Sequence, residues 1–202
     1  GQVLPNHGAD DAWRKARLGW LDSRAGLENT VTKPYIPVRL DGNAISYLGG
    51  TLELSPRTGL PAGIVTRYEQ GNHLSDSVLN PVLGGEIRLI IETAAGEEPL
   101  QGGKIRILSQ DDAKIVWQTT RKSKHFSVVC QGTFEFDGTT AYRLSVTPLS
   151  DVEVKDIRLE VPYTRYAARY LMGLGRKAIV PIRSSAGIGT SKNNRIRYGW
   201  AT

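Results

Sequence analysis

The fold class is decided by residues 86–92, which have the sequence Glu-Ile-Arg-Leu-Ile-Ile-Glu. Odd positions are apolar and even positions are charged, with Ile90 as the exception. A period of two is typical of a β-strand that buries one face and exposes the other. The same alternation recurs in four later runs, at Ile105–Ile107, Phe126–Cys130, Phe134–Phe136 and Tyr142–Val146.

Several antiparallel strands of this kind need a second sheet to cover their apolar faces. We therefore predict an all-β protein, an antiparallel β-sandwich of jelly-roll or galactose-binding-like type. A short N-terminal helix over residues 12–21 is a further candidate, because Asp10 or Asp11 is a suitable N-cap. The predicted organisation is a lead-in segment (1–31), the sandwich domain (32–175) and a basic tail (176–202).

Two local features refine this prediction. Residues 38–68 hold short apolar runs separated by turn residues, among them Asp41-Gly42-Asn43, and so predict a β-meander. In the last predicted strand the apolar residues change from even to odd positions between Val154 and Ile157. A regular strand cannot bury both sets on one face, so we predict a bulge near Lys155-Asp156.

The net charge of +6 and the pI of 9.5 come from one end of the chain. Residues 176–202 contain six bases and no acid, which equals the whole excess, so residues 1–175 are formally neutral. Nucleic-acid-binding domains carry their bases on the folded surface, interleaved with aromatic residues. We expect no nucleic-acid partner, and no membrane partner either, because no run approaches the roughly 18 apolar residues of a span.

The titratable residues do not predict a catalytic or metal site. His7, His73 and His125 stand alone, without the short-spaced pair common at zinc or copper sites, and we expect neither metal nor cofactor. The pair Glu97-Glu98 and the basic cluster at residues 121–125 fall in predicted loops, where we expect solvated charges. The single cysteine, Cys130, is in phase with apolar neighbours and is predicted to be buried.

Aromatic rings are the remaining candidates for binding, since sugars stack on exposed rings. The candidates for carbohydrate contact are Trp117, Tyr163, Tyr166 and Tyr170, which stand near polar or basic residues. Packing in the core or against another domain is the competing interpretation for all four. Trp117 is in phase with Ile115, which points to the core, whereas Tyr163 follows a proline at a strand end and is the better candidate.

Five short motifs, in order along the chain, carry a family resemblance. They are Trp20–Arg24, Pro34–Pro37, Gly59–Pro61, Asp156–Glu160 and Met172–Gly175. As a set they resemble the N-terminal β-sandwich region of large bacterial proteins related to glycoside hydrolase family 123, over about residues 13–177. Gly50 departs from the pattern, which leads us to expect a basic residue there. The resemblance implies a non-catalytic domain that precedes a barrel holding the catalytic carboxylates, in a secreted or periplasmic protein.

The resemblance ends after Lys177, where related sequences continue with a Gly-Tyr-Arg-Pro type segment. A shift of one nucleotide makes the codons for residues 178–181, Ala-Ile-Val-Pro, compatible with that segment. Our hypothesis is that the tail is an out-of-frame translation, and the coding DNA tests it.

We therefore expect an accessory domain of a glycoside-hydrolase-like protein that packs against a catalytic domain and contacts glycans. The alternative is a free-standing carbohydrate-binding module that uses exposed aromatic rings. A third interpretation is an enzyme with an unrecognised site. A row of exposed rings favours the module, an apolar surface patch favours the packing domain, and a pocket with convergent acids favours the enzyme.

Overall fold

A computed structural model describes residues 3, 23–24, 26–69, 71–171, 180–181 and 195–199. The described residues form sixteen β-strands and no helix, which confirms the predicted all-β class. The candidate helix over residues 12–21 lies outside the described residues. The chain divides into two compact units, residues 1–30 and 31–202. In the first unit, Leu27 N–H donates to the Arg24 carbonyl, which closes a turn.

The first sheet is an antiparallel meander of five strands, as the turn pattern of residues 38–68 predicts. Its strands, which pair in sequence order, are β1 (Arg39–Asp41), β2 (Ala44–Tyr47), β3 (Gly50–Leu54), β4 (Pro61–Thr66) and β5 (Asn80–Pro81). Gly50 lies against the Tyr47 ring, and a Cβ there would stand 2.8 Å from the carbonyl oxygen of Val65. Any residue with a Cβ at position 50 therefore requires the Tyr47 ring or the β4 backbone to shift.

The second sheet is built on two long paired strands. It comprises β8 (Gln101–Gly102), β9 (Arg106–Gln110), β10 (Lys114–Lys122), β11 (Phe126–Glu135) and β12 (Thr140–Pro148). Both β8 and β9 pair with β10, which pairs in turn with β11, and β11 pairs with β12. Burial alternates at every residue of β11, which confirms the period of two in its sequence. Cys130 is one of the buried residues of β11, as predicted.

The third sheet has the strand order β16-β13-β6-β7. These strands are β6 (Arg88–Thr93), β7 (Gly96–Glu97), β13 (Val154–Pro162) and β16 (Arg195–Gly199), and a separate pair is formed by β14 (Tyr170–Leu171) and β15 (Val180–Pro181). The register of β13 against β6 shifts between Val154 and Asp156, which confirms the predicted irregularity. Strand β16 lies in the basic tail, whose out-of-frame origin stays a prediction for the coding DNA.

The sheets form two layers, as the predicted sandwich requires. One face of the second sheet, carrying Trp117 and Phe134, packs against Ile45 and Leu52 of the first sheet. The same face, farther along, packs Phe126 against Ile91 of the third sheet. The first and third sheets therefore share a layer opposite the second, and a hydrogen bond from Ile87 N–H to the Pro61 carbonyl (2.9 Å) joins them.

Candidate functional site

Trp117 is not a sugar-stacking platform in this structure. Its ring is fully buried, with 0% exposure, in the core between the first and second sheets. The indole Nε1 donates a 2.8 Å hydrogen bond to the Gly59 carbonyl oxygen, so the polar end of the ring is satisfied as well. This burial corrects the expectation that Trp117 contacts carbohydrate, and it agrees with the phase that Trp117 shares with Ile115.

The three tyrosine candidates lie close together in sequence and differ in exposure. Tyr163 is half-buried and forms an isolated bridge with Leu83. Tyr166 is 46% exposed, and the Arg169 guanidinium lies 5.6 Å from its ring centroid. Tyr170 begins β14, and its side chain lies outside the described residues. One exposed ring, that of Tyr166, is therefore described at this surface.

A cavity of about 260 Å³ with both charged and apolar lining residues opens where the three sheets meet. The turn between β3 and β4 contributes Arg57 and Thr58, and the chain around β6 and β7 contributes three glutamates and Arg88. The second sheet contributes Thr119 and Arg121 from the inner face of β10. We call this space the arginine cavity, and its charged lining residues are Arg57, Arg88, Arg121, Glu86, Glu97 and Glu98.

Each glutamate of the arginine cavity has a hydrogen-bond partner. Glu97 Oε1 accepts a 2.6 Å bond from Arg88 Nη2, and Glu86 Oε1 accepts a 3.1 Å bond from the Thr58 hydroxyl. Glu98 Oε1 lies 3.1 Å from His125 Nδ1. The expectation of solvated charges therefore fails for Glu98, which is only 8% exposed. It also fails for His125, because the turn at residues 123–126 folds back onto that carboxylate.

The pKa of Glu98 is lowered from its ordinary 4.5 by hydrogen bonds that favour the charged form. The Ser123 hydroxyl has the largest effect, burial opposes it, and the side chain and backbone N–H of His125 add to it. Glu98 is therefore held as a carboxylate. A general acid in glycoside hydrolysis needs the opposite, a pKa raised toward the working pH.

Arg121 is a partly buried charged group of the cavity with an unsatisfied donor. One Nη donates to the Leu100 carbonyl oxygen, and the buried Nε has no hydrogen-bond partner among the described residues. Burial lowers the pKa of Arg121, and the positive charge of Arg57 lowers it further. The prediction of a fully solvated basic turn is wrong for this residue, because its position on β10 points to the inner face of the sheet.

The floor of the arginine cavity is apolar, and a hydrogen bond holds one of its walls in position. Val128, Cys130 and Leu144 of the second sheet form the floor, and burial raises the pKa of the Cys130 thiol to about 11. The Thr119 hydroxyl donates a 2.7 Å hydrogen bond to the Thr58 carbonyl oxygen. This bond fixes the turn that carries Arg57 and Thr58. The cavity can hold a small molecule that presents both an apolar surface and polar groups.

A second concave surface lies on the first sheet, with a volume of about 430 Å³. We call it the Ile36–Leu74 groove, because these two exposed apolar side chains line it, at 48% and 50% exposure. Tyr47 also lines it, and an ion pair between Arg67 and Asp76 (3.3 Å) forms part of its wall. An apolar strip beside polar groups is typical of a surface that contacts another protein or domain.

Metal binding needs a cluster of ligands and membrane insertion needs a long apolar helix, and both features can be assessed in the part of the chain that the structure describes. That part holds no group of three or more His, Cys, Asp or Glu side chains placed to bind a metal ion. Within the same residues, no helix is long and apolar enough to cross a membrane.

The fold and its cavity define a two-layered β-sandwich domain with charged groups between its sheets. The family described as Glycoside hydrolase 123, third domain, matches residues 38–200, and the chain belongs to this family. The match continues past Lys177 into the basic tail. The family is described as a third domain, whereas the five sequence motifs resembled an N-terminal region. No curated protein matches the chain.

Proposed function

We propose that this chain is a non-catalytic β-sandwich domain of a glycoside hydrolase, which packs against the catalytic domain of the same protein and associates with carbohydrate. The family is one of glycoside-hydrolase-associated domains. A third domain presupposes other domains in the same polypeptide. The catalytic carboxylates then belong to a neighbouring domain, and this domain supports or positions it.

The state of the cavity glutamates supports a non-catalytic role. Hydrolysis of a glycosidic bond uses a protonated carboxyl group as acid and a second carboxylate as base or nucleophile. Glu98 has a lowered pKa and is paired with His125, while Glu97 is engaged by Arg88. The hydrogen bonds to Glu98 stabilise its charged form, which is a poor proton donor at neutral pH.

The Ile36–Leu74 groove supports packing against another domain. Two large apolar side chains at about half exposure lie in one concave surface, beside the Arg67–Asp76 ion pair. Covering them removes apolar surface from water, which is favourable at about 25 cal/mol per Å². We propose the catalytic domain of the same polypeptide as the occupant, because a family described as a third domain implies neighbouring domains in the same chain.

A hydrolysis assay tests the non-catalytic part of the proposal. The purified chain is incubated with a panel of 4-nitrophenyl glycosides, with the full-length hydrolase from the same gene as positive control. We expect turnover by the full-length protein and none by this chain above the uncatalysed rate. Turnover by this chain that is abolished in a Glu97→Gln or Glu98→Gln variant contradicts the proposal.

A free-standing carbohydrate-binding module is the second candidate, and the exposed ring of Tyr166 favours it. A ring at 46% exposure beside Arg169 offers both a stacking surface and a hydrogen-bond donor. An affinity-gel screen over several polysaccharides tests this function. The module predicts retardation of the wild-type chain that is lost in Tyr166→Ala and kept in Tyr35→Ala, another exposed tyrosine.

A further inference from the structure

The three arginines and three glutamates that line the arginine cavity balance in formal charge, but two of the arginines have no carboxylate partner within the cavity. Arg88 pairs with Glu97, and Glu98 pairs with His125. Arg57 and Arg121 have no ion-pair partner among the described residues, and Glu86 accepts a hydrogen bond from the Thr58 hydroxyl. The two arginines also interact unfavourably with each other, as the effect of Arg57 on the pKa of Arg121 indicates.

Arg121 also has hydrogen-bond donors to spare. A guanidinium carries five N–H groups, and the one hydrogen bond of Arg121 within the described residues goes to the Leu100 carbonyl. Its Nε is buried without a partner. A charged donor that is desolvated and unpaired costs free energy. An anion bound to this guanidinium offsets that desolvation cost and also reduces the repulsion between Arg121 and Arg57.

We propose that the arginine cavity binds a small hydroxylated monocarboxylate with the chemistry of a hexuronic acid, its carboxylate held between Arg57 and Arg121. A carboxylate matches the planar fork of a guanidinium and can accept two parallel hydrogen bonds from it. The site goes beyond the proposed packing role and does not depend on it.

The remaining lining residues indicate the charge, the other functional groups and the size of this ligand. Glu86 and Glu97 stand at the rim, where their carboxylates can accept hydrogen bonds from hydroxyl groups and repel an anion of charge −2. A monocarboxylate is therefore favoured over phosphate or sulfate. The apolar floor of Val128, Cys130 and Leu144 suits the C–H face of a sugar ring. The volume of 260 Å³ is just below the ~300–1,000 Å³ of pockets for drug-sized ligands, which limits the ligand to about one sugar unit.

Calorimetric titration of the complete chain with sodium D-glucuronate tests the site, and D-glucose and inorganic phosphate serve as comparison ligands at equal ionic strength. We expect saturable binding of glucuronate and none of glucose. Arg121→Gln and Arg57→Gln should each weaken glucuronate binding at least about tenfold, because each removes a charge-assisted hydrogen bond. Lys122→Gln is the matched control, since it removes a positive charge from the exposed face of the same strand and should leave binding unchanged.

Four results would contradict the proposed binding site. They are absence of saturable binding, glucose binding as tight as glucuronate, phosphate binding tighter than glucuronate, and an Arg57→Gln variant that binds like the wild type. Arg57 is exposed, so its variant folds even if Arg121→Gln does not, and the test stays decisive. The ¹H–¹⁵N resonance of Arg121 Nε provides a second readout, which should shift with glucuronate and stay in place with glucose.

Discussion

The indole Nε1 of Trp117 donates a 2.8 Å hydrogen bond to the carbonyl oxygen of Gly59, across 58 residues of sequence. This bond joins the centre of the second sheet to the turn between β3 and β4 of the first sheet. Gly59 has a φ of +71° and lies so close to Thr119 that a Cβ there would stand 3.0 Å from its methyl group. The same turn carries Arg57 and Thr58, so core packing fixes one wall of the arginine cavity.

Replacing Trp117 with Phe should lower the free energy of unfolding by about 2 kcal/mol or more, measured by urea denaturation. The variant leaves the Gly59 carbonyl unpaired in the core and opens a small cavity. Tyr142→Phe is the matched control, because the buried Tyr142 hydroxyl has no hydrogen-bond partner in the described part of the chain. We expect Tyr142→Phe to be neutral or stabilising, and equal losses in the two variants would contradict this account.

Gly132→Ala should cost about 1–3 kcal/mol of stability, because a Cβ at Gly132 overlaps the Trp117 ring. Thermal unfolding followed by circular dichroism measures the effect. Gly85→Ala serves as control, since its Cβ meets the Pro162 Cγ at an ordinary 3.6 Å. A Gly132→Ala variant as stable as the control would show that the indole does not pack against this position.

Arg158→Met should destabilise the third sheet by about 2–3 kcal/mol. Arg158 donates hydrogen bonds to Asp156 (2.8 Å), Glu92 (2.7 Å) and the buried Glu160 (3.2 Å), and the pKa of Arg158 is raised by these carboxylates. The exposed pair of Arg67 and Asp76 provides the control, and Arg67→Met should cost less than about 1 kcal/mol. Chemical denaturation of both variants gives the comparison, and similar costs would contradict a structural role for the partly buried Arg158 network.

The stability of the domain should depend on the ionisation of Glu98 in acid. Its pKa is lowered in the folded protein from the ordinary value of 4.5, chiefly by the Ser123 hydroxyl. Its contribution is therefore fully present above pH 4.5 and is lost as the pH falls through the lowered pKa. Glu98→Gln should destabilise the protein at neutral pH and have a smaller effect at acid pH.

Titration of the Glu98 side-chain carboxyl by ¹³C NMR measures this pKa directly. We expect a midpoint below 4.5 in the wild type and a higher one in Ser123→Ala. An unchanged midpoint in Ser123→Ala would contradict the hydrogen bond as the main cause.

Local periodicity predicted much of this fold. The alternation in β11, the meander of residues 38–68 and the shift of apolar phase after Val154 each follow from side-chain order along a single strand. Such features depend on neighbours that are close in sequence, which is why they can be read without a structure. The same alternation predicted that Cys130 is buried, and it is.

The arginine cavity could not be predicted in this way. Arg121 and Glu98 are 23 positions apart, and each stands in a polar segment that is typical of a solvated loop. Their burial follows from the meeting of three sheets, which no local pattern encodes. The alternation of β10 was the one available signal, since Arg121 shares the inward phase of Ile115, Trp117 and Thr119.

The central claim is that this domain packs against the catalytic domain of its own protein, and sedimentation velocity of the two together tests it most directly. The variants are Ile36→Asp/Leu74→Asp in the groove and Leu79→Asp as control, because Leu79 is exposed and lies outside the lining of the groove. We predict a complex with the wild-type chain and with Leu79→Asp, and its loss in the groove variant. Failure of the wild-type chain to bind, or full binding by the groove variant, would contradict the account.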